Sequence, residues 1–115
     1  GLSAINADAE RIKQVLLNVL LNSVDAASCR EKPVITIRMS GTSGYVNIVI
    51  RDNGTGIKKE DLARVKEPLF TNKPQGSGLG LAISEKIMKA HDGAIIIDSD
   101  GESYTEVSVI IPAFV

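Results

Sequence analysis

The stretch Gly76-Ser77-Gly78-Leu79-Gly80-Leu81 places three glycines within five residues and runs at once into helix-like sequence through Ala82, Ile83, Ile87 and Ala90. Glycines at alternate positions let backbone N–H groups approach an anion without interference from a Cβ. The helix start behind them adds unpaired donors and the positive end of a dipole. This is the chemistry of a phosphate grip, although Gly-rich turns before helices also serve as plain flexible loops. Two familiar phosphate motifs are excluded by context. Thr71 to Gln75 is not an apolar strand and the glycine spacing is G-x-G-x-G, so this is not a dinucleotide fingerprint; nor does any G-K-[ST] P-loop occur.

Working outward, Lys58 to Ser77 contains a short helical candidate, Lys58 to Lys66, ended by Pro68 and followed by irregular chain from Leu69 to Gln75. It reads as a mobile cover. Before it, Asp52-Asn53-Gly54-Thr55-Gly56 cannot continue a strand, because two glycines and an Asx pair favour turn and left-handed geometry. By itself, Asp-Asn-Gly is ordinary turn chemistry. Tyr45 to Arg51 and Val34 to Ser40 each alternate apolar and polar residues, so they read as an antiparallel hairpin around a four-residue loop, Gly41-Thr42-Ser43-Gly44. The second strand thus delivers Asp52 to its end.

Further upstream, Asn6-Ala7-Asp8 supplies capping side chains and Glu10 an acidic first turn. Ile12, Val15, Leu16, Val19, Leu20, Val24 and Ala27 then recur at helical spacing and predict a core-facing stripe. Gln14, Asn18, Asn22 and Asp25 share the opposite flank, where their oxygens can converge. After the glycines, Leu79 to about His91 reads as a second helix stopped by Asp92-Gly93. Ala94 to Ser99 and Tyr104 to Ile111 read as two strands around Asp100-Gly101-Glu102-Ser103.

A chain of 115 residues supports one domain, residues 1–115. Its 43% apolar content is Ile, Leu, Val and Ala with only 3% aromatics, which suits helices packed on a sheet. The order of elements predicts an α/β two-layer sandwich: a mixed, mainly antiparallel sheet with helices on one face. A net charge of −1 and the lack of a basic stripe argue against a nucleic-acid partner. No apolar run approaches 18 residues and no signal peptide is evident, so no membrane contact is expected of these residues. The lone Cys29 excludes an internal disulfide and fits a reducing cytoplasm.

In order and spacing, these stretches resemble the catalytic ATP-binding domain of sensor histidine kinases, within the larger GHKL (Bergerat-fold) family that includes gyrase, Hsp90 and MutL. Arg11 to Ser23 is similar to its N box, Asp52 to Ile57 to its G1 box, Glu67-Pro68-Leu69-Phe70-Thr71-Asn72-Lys73 to its F box, and Gly76 to Leu81 to its G2 box. The short Lys73-Pro74-Gln75 step is most similar to kinases of the nitrogen-regulator type. The resemblance implies ATP and Mg²⁺ as ligands. It places the Asp52 carboxylate on the adenine exocyclic amine, an acceptor-only group facing a donor where guanine presents an acceptor.

The same resemblance implies that Gly54, Gly56, Ile57 and Thr105 lie around the base and that Asn22 holds Mg²⁺ with phosphates and waters completing the shell. Lys73 and the amides around Gly76, Gly78 and Gly80 bind phosphates, with Ser77 and Thr71 as minor contacts and Leu81 completing the cofactor-binding stretch. Phe70 and Leu79 seat the cover, and Asp25 assists in orientation or is a solvated helix residue. Hydrolysing relatives carry Glu where this chain has Asn18. An amide is no general base at neutral pH, so the resemblance implies transfer to an acceptor with its own nucleophile, as a histidine imidazole has. Asn18, Asn22 and Lys73 are then the catalytic candidates.

His91 falls at the family's His-Gly-Gly helix stop and is not expected to be phosphorylated. The acceptor histidine belongs to a separate dimerisation domain, which in turn serves a response regulator. These residues are expected to be monomeric and cytoplasmic, within a homodimeric parent that a membrane can anchor. The alternatives are a nucleotide-gated binding module without turnover, and an ATP-hydrolysing domain.

Overall fold

The structure, a computed structural model, describes residues 9–42, 44–62 and 80–112. Its elements are α1 (Ala9–Ala27), β1 (Ile35–Thr42), β2 (Tyr45–Asp52), α2 (Lys59–Leu62), α3 (Gly80–Ala90), β3 (Ala94–Ser99) and β4 (Thr105–Pro112). The strands form one sheet in the order β1-β2-β4-β3, and each neighbouring pair is antiparallel. The expected two-layer α/β arrangement is present. The mixed character is not seen among the described strands, whose pairings are all antiparallel.

On β2 and β4 every second residue is buried: Val46, Ile48 and Ile50 on one, Val107, Val109 and Ile111 on the other. Pleating sends these side chains to one face, where α1 and α3 cover them. From α1, Ile12, Val15 and Val19 enter the same core, and from α3, Ile87 and Met88. Each such side chain contributes about 2 kcal/mol of burial, so the two central strands and the helix pair anchor the site.

Two details depart from the pattern in the sequence. Val24 is 51% exposed, and the inward position on that turn of α1 is taken by buried Ser23. One residue is a 100° rotation on a helix, so the stripe ends before Val24 and resumes at Ala27. The first hairpin is also tighter than the four-residue loop suggested by Gly41 to Gly44. Gly41 and Thr42 stay in the ladder, with Thr42 opposite Tyr45, and Gly44 takes φ 85°. A two-residue connection needs positive φ, which glycine supplies without a Cβ clash.

The end of α3 lies where Asp92-Gly93 suggests. The Gly93 N–H donates to the Met88 carbonyl (2.8 Å) and the Asp92 N–H to that of Lys89 (3.2 Å), the two bonds of a Schellman cap. Asp92 occupies the left-handed position, φ 58°. The His91 Nδ1–H donates to the Ile87 carbonyl at 2.8 Å, so the one histidine caps its own helix. Of the cover expected over Lys58 to Ser77, Lys59–Leu62 is helical, and residues 63–77 lie outside the described residues.

Candidate functional site

Asp52 closes β2, paired through the backbone with Ile35 on one side and Thr105 on the other. It is 3% exposed and Thr105 7%, so the sheet presents a carboxylate and a hydroxyl side by side under the helices. A buried carboxylate needs donors. Asp52 Oδ1 accepts the Gly54 N–H at 2.8 Å, which folds the next residues into an Asx turn.

The loop that follows is fixed from three sides. Asn53 Oδ1 accepts the Val34 N–H (2.9 Å), and its Nδ2 donates to the Lys32 carbonyl (3.0 Å). Arg30 donates from Nε to the Asn53 carbonyl (2.7 Å) and from Nη2 to those of Gly54 (3.1 Å) and Glu102 (2.7 Å). Ser99 Oγ accepts the N–H groups of Ile57 (2.7 Å) and Gly101 (3.1 Å) while donating to the Tyr104 carbonyl (2.6 Å). The Ile57 amide is thereby committed within the protein.

Both glycines of this loop sit where a Cβ would collide with the protein itself. A Cβ on Gly54 would lie 2.5 Å from the Ala26 carbonyl oxygen, and one on Gly56, at φ 78°, 2.7 Å from Ser99 Oγ. Their first role is to let the end of α1 and the β3–β4 turn close on the loop. That turn is held by Asp100, whose Oδ1 accepts the N–H groups of Glu102 (2.9 Å), Ser103 (2.7 Å) and Tyr104 (3.2 Å), and whose Oδ2 accepts the Ser103 hydroxyl. These bonds hold the Asp100 carboxyl far below the usual carboxylate range. Tyr104 donates to Asp98 Oδ2 (3.0 Å), which pushes its phenol above its ordinary value, and Arg51 stacks 4.1 Å over its ring.

Along α1, Asn18 and Asn22 are half-buried and Asp25 is exposed. Asn18 Nδ2 donates to Ser84 Oγ of α3 at 3.4 Å, which ties the asparagine flank to the helix opened by Gly80 and Leu81. No acidic residue occupies the first turn of α3. Phe70, Thr71, Lys73, Gly76, Ser77, Gly78 and Leu79 lie outside the described residues. Among the described residues no group of three or more His, Cys, Asp or Glu is arranged to hold a metal, and no helix is long and apolar enough to cross a membrane. A hollow of about 150 Å³ lies against Thr36, Arg51, Asp52, Asn53 and Tyr104. Arg51 lies on the sheet face away from Asp52's buried side chain, and the hollow reaches the end of β2 through Asp52 and Asn53.

The two-layer fold, with Asp52 buried at a strand end between the asparagine-bearing helix and the turn of β3 and β4, is that of an ATPase domain, as the family match shows. Residues 7–114 match the family of histidine kinase-, DNA gyrase B- and HSP90-like ATPases, and the chain belongs to that family. It is 47% identical over 98 residues to the signal transduction histidine-protein kinase AtoS of Escherichia coli K12, covering 85% of this chain and 16% of AtoS. The fold matches the solved catalytic domain of histidine kinase ThkA at TM-score 0.83 and 34% identity, covering 95% of this chain and 70% of that one. Full-length ShkA, solved in complex with AMPPNP, matches at TM-score 0.83 and 28% identity over 98% of this chain and 24% of its own. The chain thus spans about a sixth of AtoS, and its fold is that of histidine kinase catalytic domains.

Arg30, Ser99 and Ser84 were not among the candidates from sequence. Arg30 sits in a polar loop with no motif, and its acceptors lie 23, 24 and 72 positions away. Only the sheet order brings those carbonyls together. Ser99, at the end of an alternating strand, carried the weak signal of a hydroxyl before a turn.

Proposed function

We propose that this chain is the catalytic domain of a sensor histidine kinase that binds Mg-ATP and passes the γ-phosphoryl group to a histidine on its parent's dimerisation domain. The observation that carries the reading is the buried Asp52 carboxylate at the end of β2, beside Thr105, in a loop whose every turn is fastened. An acceptor-only group there selects the adenine amine and rejects guanine. Gly54, Gly56 and the Ile57 side chain shape the base pocket.

Asn22 supplies the protein's oxygen to Mg²⁺, and a single neutral ligand suits an ion held mainly by phosphates and water. Lys73 and the amides from Gly76 to Leu81 take the phosphates, with Thr71 beside them and Phe70 and Leu79 seating the cover. Asp25 orients the asparagine flank. With Asn18 in place of a general base, the residues position and neutralise but do not deprotonate. The imidazole nitrogen of the acceptor attacks the γ-phosphorus, the bond to ADP breaks, and the displaced proton leaves the imidazole ring. The phosphohistidine then serves a response regulator. The parent acts as a homodimer on the cytoplasmic side, with a membrane anchor, where there is one, in its other domains. The short step from Lys73 to Gly76 suits a kinase of the nitrogen-regulator type.

Calorimetric titration with ATP and GTP, with and without Mg²⁺, tests the site. Saturable binding of ATP is expected, with GTP far weaker. Adding a histidine-bearing hairpin domain in trans should then yield phosphohistidine. Steady phosphate release by the chain alone would favour a hydrolase, and ATP-dependent partner capture without phosphohistidine a gated binding module.

A further inference from the structure

We infer that Arg30 is a positioning residue for base recognition, acting on Asp52 through a single peptide unit. The inference rests on the reading of Asp52 as the adenine acceptor. The carbonyl of Asn53 and the N–H of Gly54 belong to the same peptide plane. Arg30 Nε donates to that carbonyl at 2.7 Å, and the N–H donates to Asp52 Oδ1 at 2.8 Å. A cation on one end of an amide polarises the other end, so the two bonds strengthen each other. Turning the peptide plane would break both. Arg30 therefore holds a donor that bears on the rotation of the Asp52 carboxylate.

Its second nitrogen closes the arrangement. Nη2 bridges the Gly54 and Glu102 carbonyls (3.1 and 2.7 Å), which joins the loop after β2 to the turn between β3 and β4. The Ser99 hydroxyl holds the far side of the same loop through Ile57. A rigid guanidinium fork spans three carbonyls at once, whereas a lysine ammonium is a point donor on a flexible stem. Arg30 is itself exposed, so removing it opens no core cavity.

The test is titration of the full chain, as wild type, R30Q, R30K and D52N, with ATP and with GTP, alongside thermal unfolding. R30Q should weaken ATP binding about tenfold, one charge-assisted bond's worth, and leave GTP binding unchanged. The preference for ATP should shrink by the same factor while the unfolding temperature moves little. R30K should fall between, and it carries the test should R30Q fail to fold. Equal losses for both nucleotides, or an unaltered preference, would overturn the inference when D52N has abolished that preference. If D52N also leaves the preference intact, the adenine reading itself has failed, and the role of Arg30 with it.

Discussion

Gly54→Ala tests how tightly the candidate site is built against the helix that carries the asparagines. The new Cβ would stand 2.5 Å from the Ala26 carbonyl oxygen, 2.6 Å from its carbonyl carbon and 2.9 Å from its Cβ. All three belong to the end of α1, so no side chain can swing aside. Relief to van der Waals distance requires α1 and the loop to separate by about 1 Å, and overpacking of that kind costs about 3 kcal/mol. For a domain of this size the unfolding temperature should fall by about 10 °C. Gly44→Ala is the control, since nothing lies within 4 Å of its Cβ and only the φ of 85° opposes a side chain. That substitution should cost about 1 kcal/mol, or about 4 °C. Scanning calorimetry of the two variants compares close approach with backbone strain directly. A Gly54→Ala chain as stable as the Gly44→Ala chain would show that α1 does not pack on the loop as described. ATP affinity should fall in the first variant and be kept in the second.

Asp92→Gly should stabilise the chain by about 1 kcal/mol, because glycine adopts the left-handed cap position without a Cβ penalty; an unchanged denaturation midpoint would argue against that geometry. Asp52→Asn presents a donor to a donor and should reduce ATP affinity by at least about tenfold, read by titration calorimetry. Asn22→Ala should weaken ATP binding in Mg²⁺ far more than in excess EDTA, and equal losses would remove Asn22 as a ligand. Asp100, with its folded pKa held below the ordinary carboxylate value, contributes stability that is complete above that value and drains away as pH falls toward the folded one. Its carboxyl resonance should show no titration in the ordinary carboxylate range, and Asp100→Asn should flatten the acid limb of the stability profile.

The parts of the fold written in local periodicity were legible in the chain. Ile12, Val15 and Val19 announce the buried face of α1, and the alternation from Tyr45 onward places Asp52 at a strand end on the buried face. The limits came where geometry is cooperative. Ser23 displaces Val24 because the helix is seen from the sheet, not from its own hydropathy. The hairpin tightened because Thr42 pairs with Tyr45 across the ladder. Asp52 was visible as a candidate, yet what orients it was not, since Arg30 acts on carbonyls contributed by two separate turns. Nor does Asp-Asn-Gly-Thr-Gly reveal that its glycines first serve Ala26 and Ser99.

The central ladder also bears on how the chain can vary. β1–β2 and β3–β4 are local hairpins, while β2–β4 joins residues far apart in sequence, and Asp52 opposite Thr105 is its last rung. Everything from Asn53 to Tyr104 is therefore the interior of one closed loop, whose entropic cost grows only with the logarithm of its length: doubling it adds about 0.6 kcal/mol. Insertions or deletions between α2 and α3 leave both ends of that loop anchored in the sheet. Selection can lengthen, shorten or rewrite the connection while the rung that joins Asp52 to Thr105 stays as it is.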